Sequence, residues 1–173
     1  GSEKFPLKFR VPAWCKEAVF RVNGQAVAER PAPGDMVTID RKWSGGYQVA
    51  IDLPMRLSLR RWAKNGNCVS VDRGPLTYSL KIGEKYARCG GTDEWPQYEI
   101  FPTTPWNYGL VLQNDNLGQF VEVVKRPWPA DDQPFASAAV PILLRMRGAQ
   151  IPGWSKSSRD IIDPVPRSPV VTD

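Results

Sequence analysis

The residues of this 173-residue chain best equipped for chemistry stand close together in "TDEWPQYEIFPTTPWNY", residues 92–108. Two carboxylates facing each other across about 5–10 Å can protonate a leaving group and activate a nucleophile at an acetal carbon. Asp93 and Glu94 are neighbours in sequence, however, and neighbours on an extended chain point to opposite faces. They cannot form such a pair with each other, and Glu99 and Asp115 would meet only by an accident of folding. The acids read as solvated loop residues, and no residue receives a catalytic role. The rings of Trp95, Tyr98, Trp106 and Tyr108 are the better candidates. Aromatic faces pack against the C–H faces of sugars, while polar neighbours such as Asp93, Glu94 and Asn107 orient hydroxyls. The competing reading has these rings filling a core or a contact between domains. That reading is adopted here, with sugar binding by the four rings as its alternative.

The cysteines offer less. Cys15, Cys68 and Cys89 form no close couple, and the chain has no histidine. A closed structural zinc site usually takes four ligands in tight pairs, so no metal ligand and no cofactor are assigned to this chain. One disulfide among the three is the alternative, and three buried free thiols are the expected state. Arg73-Gly74-Pro75 could grip a carboxylate or phosphate through its arginine. Gly74 permits unusual backbone angles, and Pro75 sets φ while removing a donor. The triplet therefore reads as a bend between strands, with Arg73 covering the corner or donating to exposed carbonyls.

What would position these residues is a succession of short strands. "FPLKFRV" (5–11) alternates cleanly, and "AVFRVNGQAV" (18–27) carries Asn23-Gly24, a strong hairpin signal. "MVTIDR" (36–41), "YQVAIDL" (47–53), "MRLSLRR" (55–61), "CVSVDR" (68–73) and "PLTYSLKI" (75–82) follow, separated by turn-forming stretches. In the second half "QYEIF", "YGLVL", "QFVEVVKR" and "VPILLRMRGAQI" (140–151) read as strands. The proline-rich end, "DIIDPVPRSPVVTD" (160–173), is expected to run extended along a surface. The pattern predicts an all-β fold, an antiparallel β-sandwich with jelly-roll-like connections. It divides into two units, 1–85 and 86–173, with a seam near 83–93 and the proline-rich tail at the end.

Charge and composition bound the partners. Residues 1–86 carry fifteen Lys/Arg against eight Asp/Glu, and the remainder eight against ten. The basic residues alternate singly with apolar ones, as in "LKFRV", which is the pattern of a wet sheet face rather than a nucleic-acid site. No apolar run approaches the roughly 18 residues of a membrane helix. Neither nucleic acid nor membrane is expected as a partner.

Several stretches together carry a family resemblance: "FRVPAWC" (9–15), "VNGQ" (22–25), "IDRKWSGGYQVAIDLPMRL" (39–57), "VSVDRGPLTYSL" (69–80) and "FPTTPWNYGLVL" (101–112). In that order they resemble the non-catalytic β region of the β-L-arabinofuranosidase family of bacterial glycoside hydrolases, over about residues 5–155. The resemblance implies a parent enzyme whose (α/α)6 catalytic barrel lies upstream, where a cysteine nucleophile, a zinc ion and a glutamate cleave the glycosidic bond. That machinery is not carried over to Cys15, Cys68 or Cys89. What the resemblance implies for this chain is an accessory region packed on the barrel of its parent. It further implies a plant-type glycan or glycoprotein as the parent's substrate, and it favours a periplasmic or secreted location without fixing the compartment. Gly1-Ser2, which looks like an expression scar, and the stop after "RSPVV" fit an excised piece.

Overall fold

The computed structural model describes residues 1–28, 30–157 and 161–170. Among them there is no α-helix; one short 3-10 turn, Leu117–Gln119, interrupts an otherwise all-β chain. Every strand pair of defined register is antiparallel, as the alternation predicted. The chain falls into two compact units, Gly1–Ser58 with Asp72–Thr77, and Leu59–Val71 with Tyr78–Asp173.

The first unit holds β1 (Ser2–Arg10), β2 (Val19–Val22), β3 (Gln25–Ala26), β4 (Met36–Ser44) and β5 (Val49–Asp52). β1 pairs with β4 along its whole length, from Ser2 opposite Ser44 to Arg10 opposite Met36. β2 lies between β3 and β5. Period-two alternation sets the buried side. Val37 and Ile39 are buried, while Met36, Thr38 and Asp40, which alternate with them, face water. Both sheets feed one core, in which Val37, Ile39 and Trp43 of β4 cluster with Phe20 and Val22 of β2, Val11 and Cys15. Each large apolar side chain buried there is worth about 1.5–3 kcal/mol. The indole of Trp43 keeps its polar atom satisfied by donating from Nε1 to the Phe5 carbonyl at 2.8 Å. The hairpin foreseen at Asn23-Gly24 is present, with both residues at positive φ, 49° and 80°, as a primed two-residue turn requires.

Strands β6 (Leu57–Trp62), β7 (Cys68–Arg73) and β8 (Leu76–Tyr78) form a three-stranded sheet in that order. Gly74-Pro75 is the two-residue loop between β7 and β8, so the bend is a hairpin turn. Gly74 sits at φ 58°, and its N–H donates to the Arg56 carbonyl at 3.2 Å. Asp72, buried just before the turn, accepts from the Thr77 hydroxyl at 2.8 Å. Arg73 does not satisfy a carbonyl with its Nη1, which is buried and finds no hydrogen-bond partner among the described residues.

The second unit continues with β9 (Glu84–Gly91), β10 (Pro96–Pro102), β11 (Tyr108–Leu110), β12 (Glu122–Lys125), β13 (Ile142–Arg145) and β14 (Gly148–Gln150). They pair as three two-stranded ribbons, β9–β10, β11–β14 and β12–β13. Two elements differ from the sequence expectation. Residues 84–91 form a strand that the sequence pattern does not predict. The single run 140–151 is two strands, β13 pairing with β12 and β14 with β11. The proline-rich segment has no helix in its described part and is tied back to the turn after β6. Ser168 N–H donates to the Gly66 carbonyl at 2.7 Å, and Asn67 Nδ2 donates to the Ser168 carbonyl at 3.2 Å. Residues 160 and 171–173 of that segment lie outside the described residues.

Candidate functional site

The four candidate rings are split between two structures of the second unit. Trp95 and Tyr98 belong to the β9–β10 hairpin. Its turn closes through Thr92 N–H to the Trp95 carbonyl at 3.2 Å and Trp95 N–H to Thr92 Oγ1 at 3.0 Å. Gly91, at φ 75°, makes the turn possible, since a Cβ there would lie 2.2 Å from the Trp95 carbonyl oxygen. Trp95 stands at the tip, 75% exposed. A bulge between Gln97 and Tyr98 leaves Cys89 without a cross-strand partner, because Gln97 faces Gly90 and Tyr98 faces Arg88.

The hairpin has no buried side. All residues from 91 to 102 are exposed. The register puts Ile100 opposite Tyr86 and Tyr98 opposite Arg88, so one face carries Tyr86, Arg88, Tyr98 and Ile100. Tyr86 and Tyr98 meet edge to face with centroids 6.0 Å apart. The Tyr86 hydroxyl donates to Glu84 at 2.9 Å, and that carboxylate holds the phenol above its ordinary range.

Trp106 and Tyr108 lie elsewhere in the unit. Trp106 is half-buried, edge to face against Trp154 at 5.1 Å. Trp154 donates from Nε1 to the Asp163 carbonyl at 3.0 Å. Between the two, Asn107 Nδ2 donates to the carbonyls of Ile151 (2.9 Å) and Trp154 (3.1 Å), while its Oδ1 accepts from Gln150 Nε2 at 3.1 Å. Tyr108 pairs with Gln150 across β11–β14 and lies over Gly148, leaving it 39% exposed. Tyr98 and Trp106 thus have separate ring partners, Tyr86 and Trp154. Trp154 lies 48 residues beyond Trp106, and no local spacing announces the contact. Asn107→Ala removes three hydrogen bonds from a half-buried site and is expected to cost about 2–3 kcal/mol, read from the urea unfolding midpoint.

Two of the four candidate acids pair with exposed cations. Asp93 pairs with Arg88 at 2.8 Å and Asp115 with Arg61 at 2.6 Å. Exposed pairs of this kind contribute little. All three cysteines are free thiols as expected, but only Cys15 is buried; Cys68 is half-buried, and Cys89 is exposed because it lies on a ribbon with no buried side. Among the described residues no three His, Cys, Asp or Glu side chains gather as a metal site would require.

Residues 1–55 match the model of the β-L-arabinofuranosidase GH127 middle domain. This chain resembles the non-catalytic region of that family. The matched residues are those of β1 to β5, so the GH127-like segment coincides with the strands that build the Val11–Trp43 core. A solved structure titled glycoside hydrolase is similar at 20% identity and a TM-score of 0.41, covering 72% of this chain. The chain spans 22% of that protein's length. No curated protein matches the chain. Around the GH127-like core the rim is aromatic. Phe5 and Tyr47 flank Trp43 at 5.9 and 5.6 Å, and the Arg41 guanidinium lies over the Tyr47 ring at 4.9 Å.

Proposed function

We propose that this chain is a non-catalytic accessory region of a glycoside hydrolase. In this reading its β9–β10 hairpin packs against the (α/α)6 catalytic barrel of the same parent polypeptide. The match of residues 1–55 to a middle domain of β-L-arabinofuranosidases carries the accessory role. The packing is supported by the hairpin itself. A lone two-stranded ribbon is marginal in water, and apolar rings on it are stabilised when another surface covers them. Tyr86, Tyr98 and Ile100 are each at least half exposed. The parent then cleaves a plant-type glycan with residues outside this chain.

Hydrogen exchange tests the packing. Amides of residues 84–102 should exchange at least about tenfold more slowly in the parent polypeptide than in this chain, since covering the ribbon adds to its local opening free energy. Equal exchange in both would refute it.

A second reading is supported by Trp95, whose ring is three-quarters exposed at the hairpin tip. It is sugar contact by Trp95 and Tyr98, with Trp106 and Tyr108 as the other rings of a carbohydrate-binding module. Titration with arabino-oligosaccharides should leave tryptophan fluorescence flat if the accessory reading holds. A saturable change abolished by Trp95→Ala would establish the module instead.

A further inference from the structure

The outer face of the β1–β4 sheet carries an unbalanced row of cations. Its register sets Lys4 directly opposite Lys42, Pro6 opposite Asp40, Lys8 opposite Thr38 and Arg10 opposite Met36, and all eight are exposed. Four cations share this face with one carboxylate. Asp40 reaches Lys4 only at 3.9 Å, with the two side chains 72% and 54% in water. Like charges directly opposite each other on an antiparallel pair repel, so the Lys4–Lys42 pairing works against the sheet in the absence of an anion. At about 3.4 Å per residue, the row from Lys4 to Arg10 runs roughly 20 Å.

The chemistry of this face selects among anions. The aromatic residues of the two strands, Phe5, Phe9 and Trp43, alternate to the other side, where Phe9 and Trp43 pack in the core. Single-stranded nucleic acid and neutral sugars are both held largely by ring stacking, which this face cannot offer. A linear polymer with regularly spaced carboxylates needs only cations in line. We propose that this face binds an acidic polysaccharide, its uronate carboxylates set against Lys4 and Lys42, Lys8 and Arg10. The choice of a glycan among polyanions rests on the accessory-region reading above.

Affinity electrophoresis of the whole chain through gels containing polygalacturonate, neutral arabinan or no polymer tests the proposal, with duplex DNA in a parallel mobility assay. Polygalacturonate should retard the chain and arabinan should not. Each phosphate contact to a single strand contributes about 0.7 to the salt slope; three or four carboxylate contacts of the same kind give a log–log slope of about −2 to −3. Lys8→Glu with Lys42→Glu should weaken retention at least tenfold and bring the slope toward about −1. The Lys42→Glu change sets opposite charges across from Lys4, so the thermal midpoint should hold or rise, which separates lost binding from unfolding. The neutral pair Lys8→Gln with Lys42→Gln should fall between. Three results would each overturn the proposal: no retardation by polygalacturonate, equal retardation of the charge-reversed variant, or duplex DNA bound as tightly as the polysaccharide. Duplex DNA is the pertinent rival because a two-stranded ribbon can enter its major groove. The exchange behaviour of the hairpin is read separately, so failure of the interdomain packing and failure of this face give different results.

Discussion

Phe20→Ala is expected to cost the first unit about 3–5 kcal/mol, a large share of its stability. The ring is 2% exposed and sits 5.7 Å from Phe9, inside a cluster of seven buried residues among those described. Truncation removes the transfer energy of the ring and leaves a cavity that β2, held between β3 and β5, cannot close by moving. A domain of this size has about 5–15 kcal/mol in hand, so the loss consumes much of it. Urea unfolding followed by tryptophan fluorescence reads the result, because Trp43 lies in the same core. Thr38→Ala, on the wet side of β4, is the control and should change stability by no more than about 0.5 kcal/mol. A midpoint for Phe20→Ala indistinguishable from that control would show that this cluster is not what holds the unit together.

Gly74→Ala is the second large effect, expected at about 2–5 kcal/mol from two separable causes. An alanine at φ 58° pays about 1–2 kcal/mol for the left-handed backbone. The added Cβ would also stand 2.6 Å from Met55 Cγ and 2.9 Å from Met55 Cβ, which must move at about 1–3 kcal/mol. A double-mutant cycle with Met55→Ala separates them. The clash with Met55 Cγ should vanish in the Met55→Ala background, while the backbone part and the close approach to the retained Cβ at 2.9 Å should remain. If Gly74→Ala costs under 0.5 kcal/mol in both backgrounds, the turn is not the constraint the geometry makes it.

These two positions show how differently the sequence speaks at different scales. The Arg73-Gly74-Pro75 turn was legible because glycine and proline act through their own backbone. Asn23-Gly24 was legible for the same reason. β1 and β4 were legible because one side of each packs toward the core, fully in β4 and partly in β1, and packing on one side forces apolar residues to every second place. β9 was not. "EKYARCGG" lies on a ribbon with no buried side, so nothing imposes a period of two on it, and its paired glycines read as a break. The run 140–151 hid its division for a related reason: apolar residues continue through it, and only the different partners of β13 and β12, and of β14 and β11, split it.

The candidate site divides along the same line. Ring chemistry at Trp95, Tyr98, Trp106 and Tyr108 was visible in composition alone. Which of those rings would meet water was not, because exposure is set by neighbours brought from far along the chain, Trp154 against Trp106 and Tyr86 against Tyr98. By itself the sequence determined the β class, the two tight turns and the likeness to a glycoside-hydrolase accessory region, since each is written in local spacing or in local residue order. The tertiary structure alone decided that the lysines of β1 and β4 stand face to face and that the hairpin rings lie bare. Strand register and long-range packing arise from the summed burial of residues far apart in the chain, and no single stretch contains them.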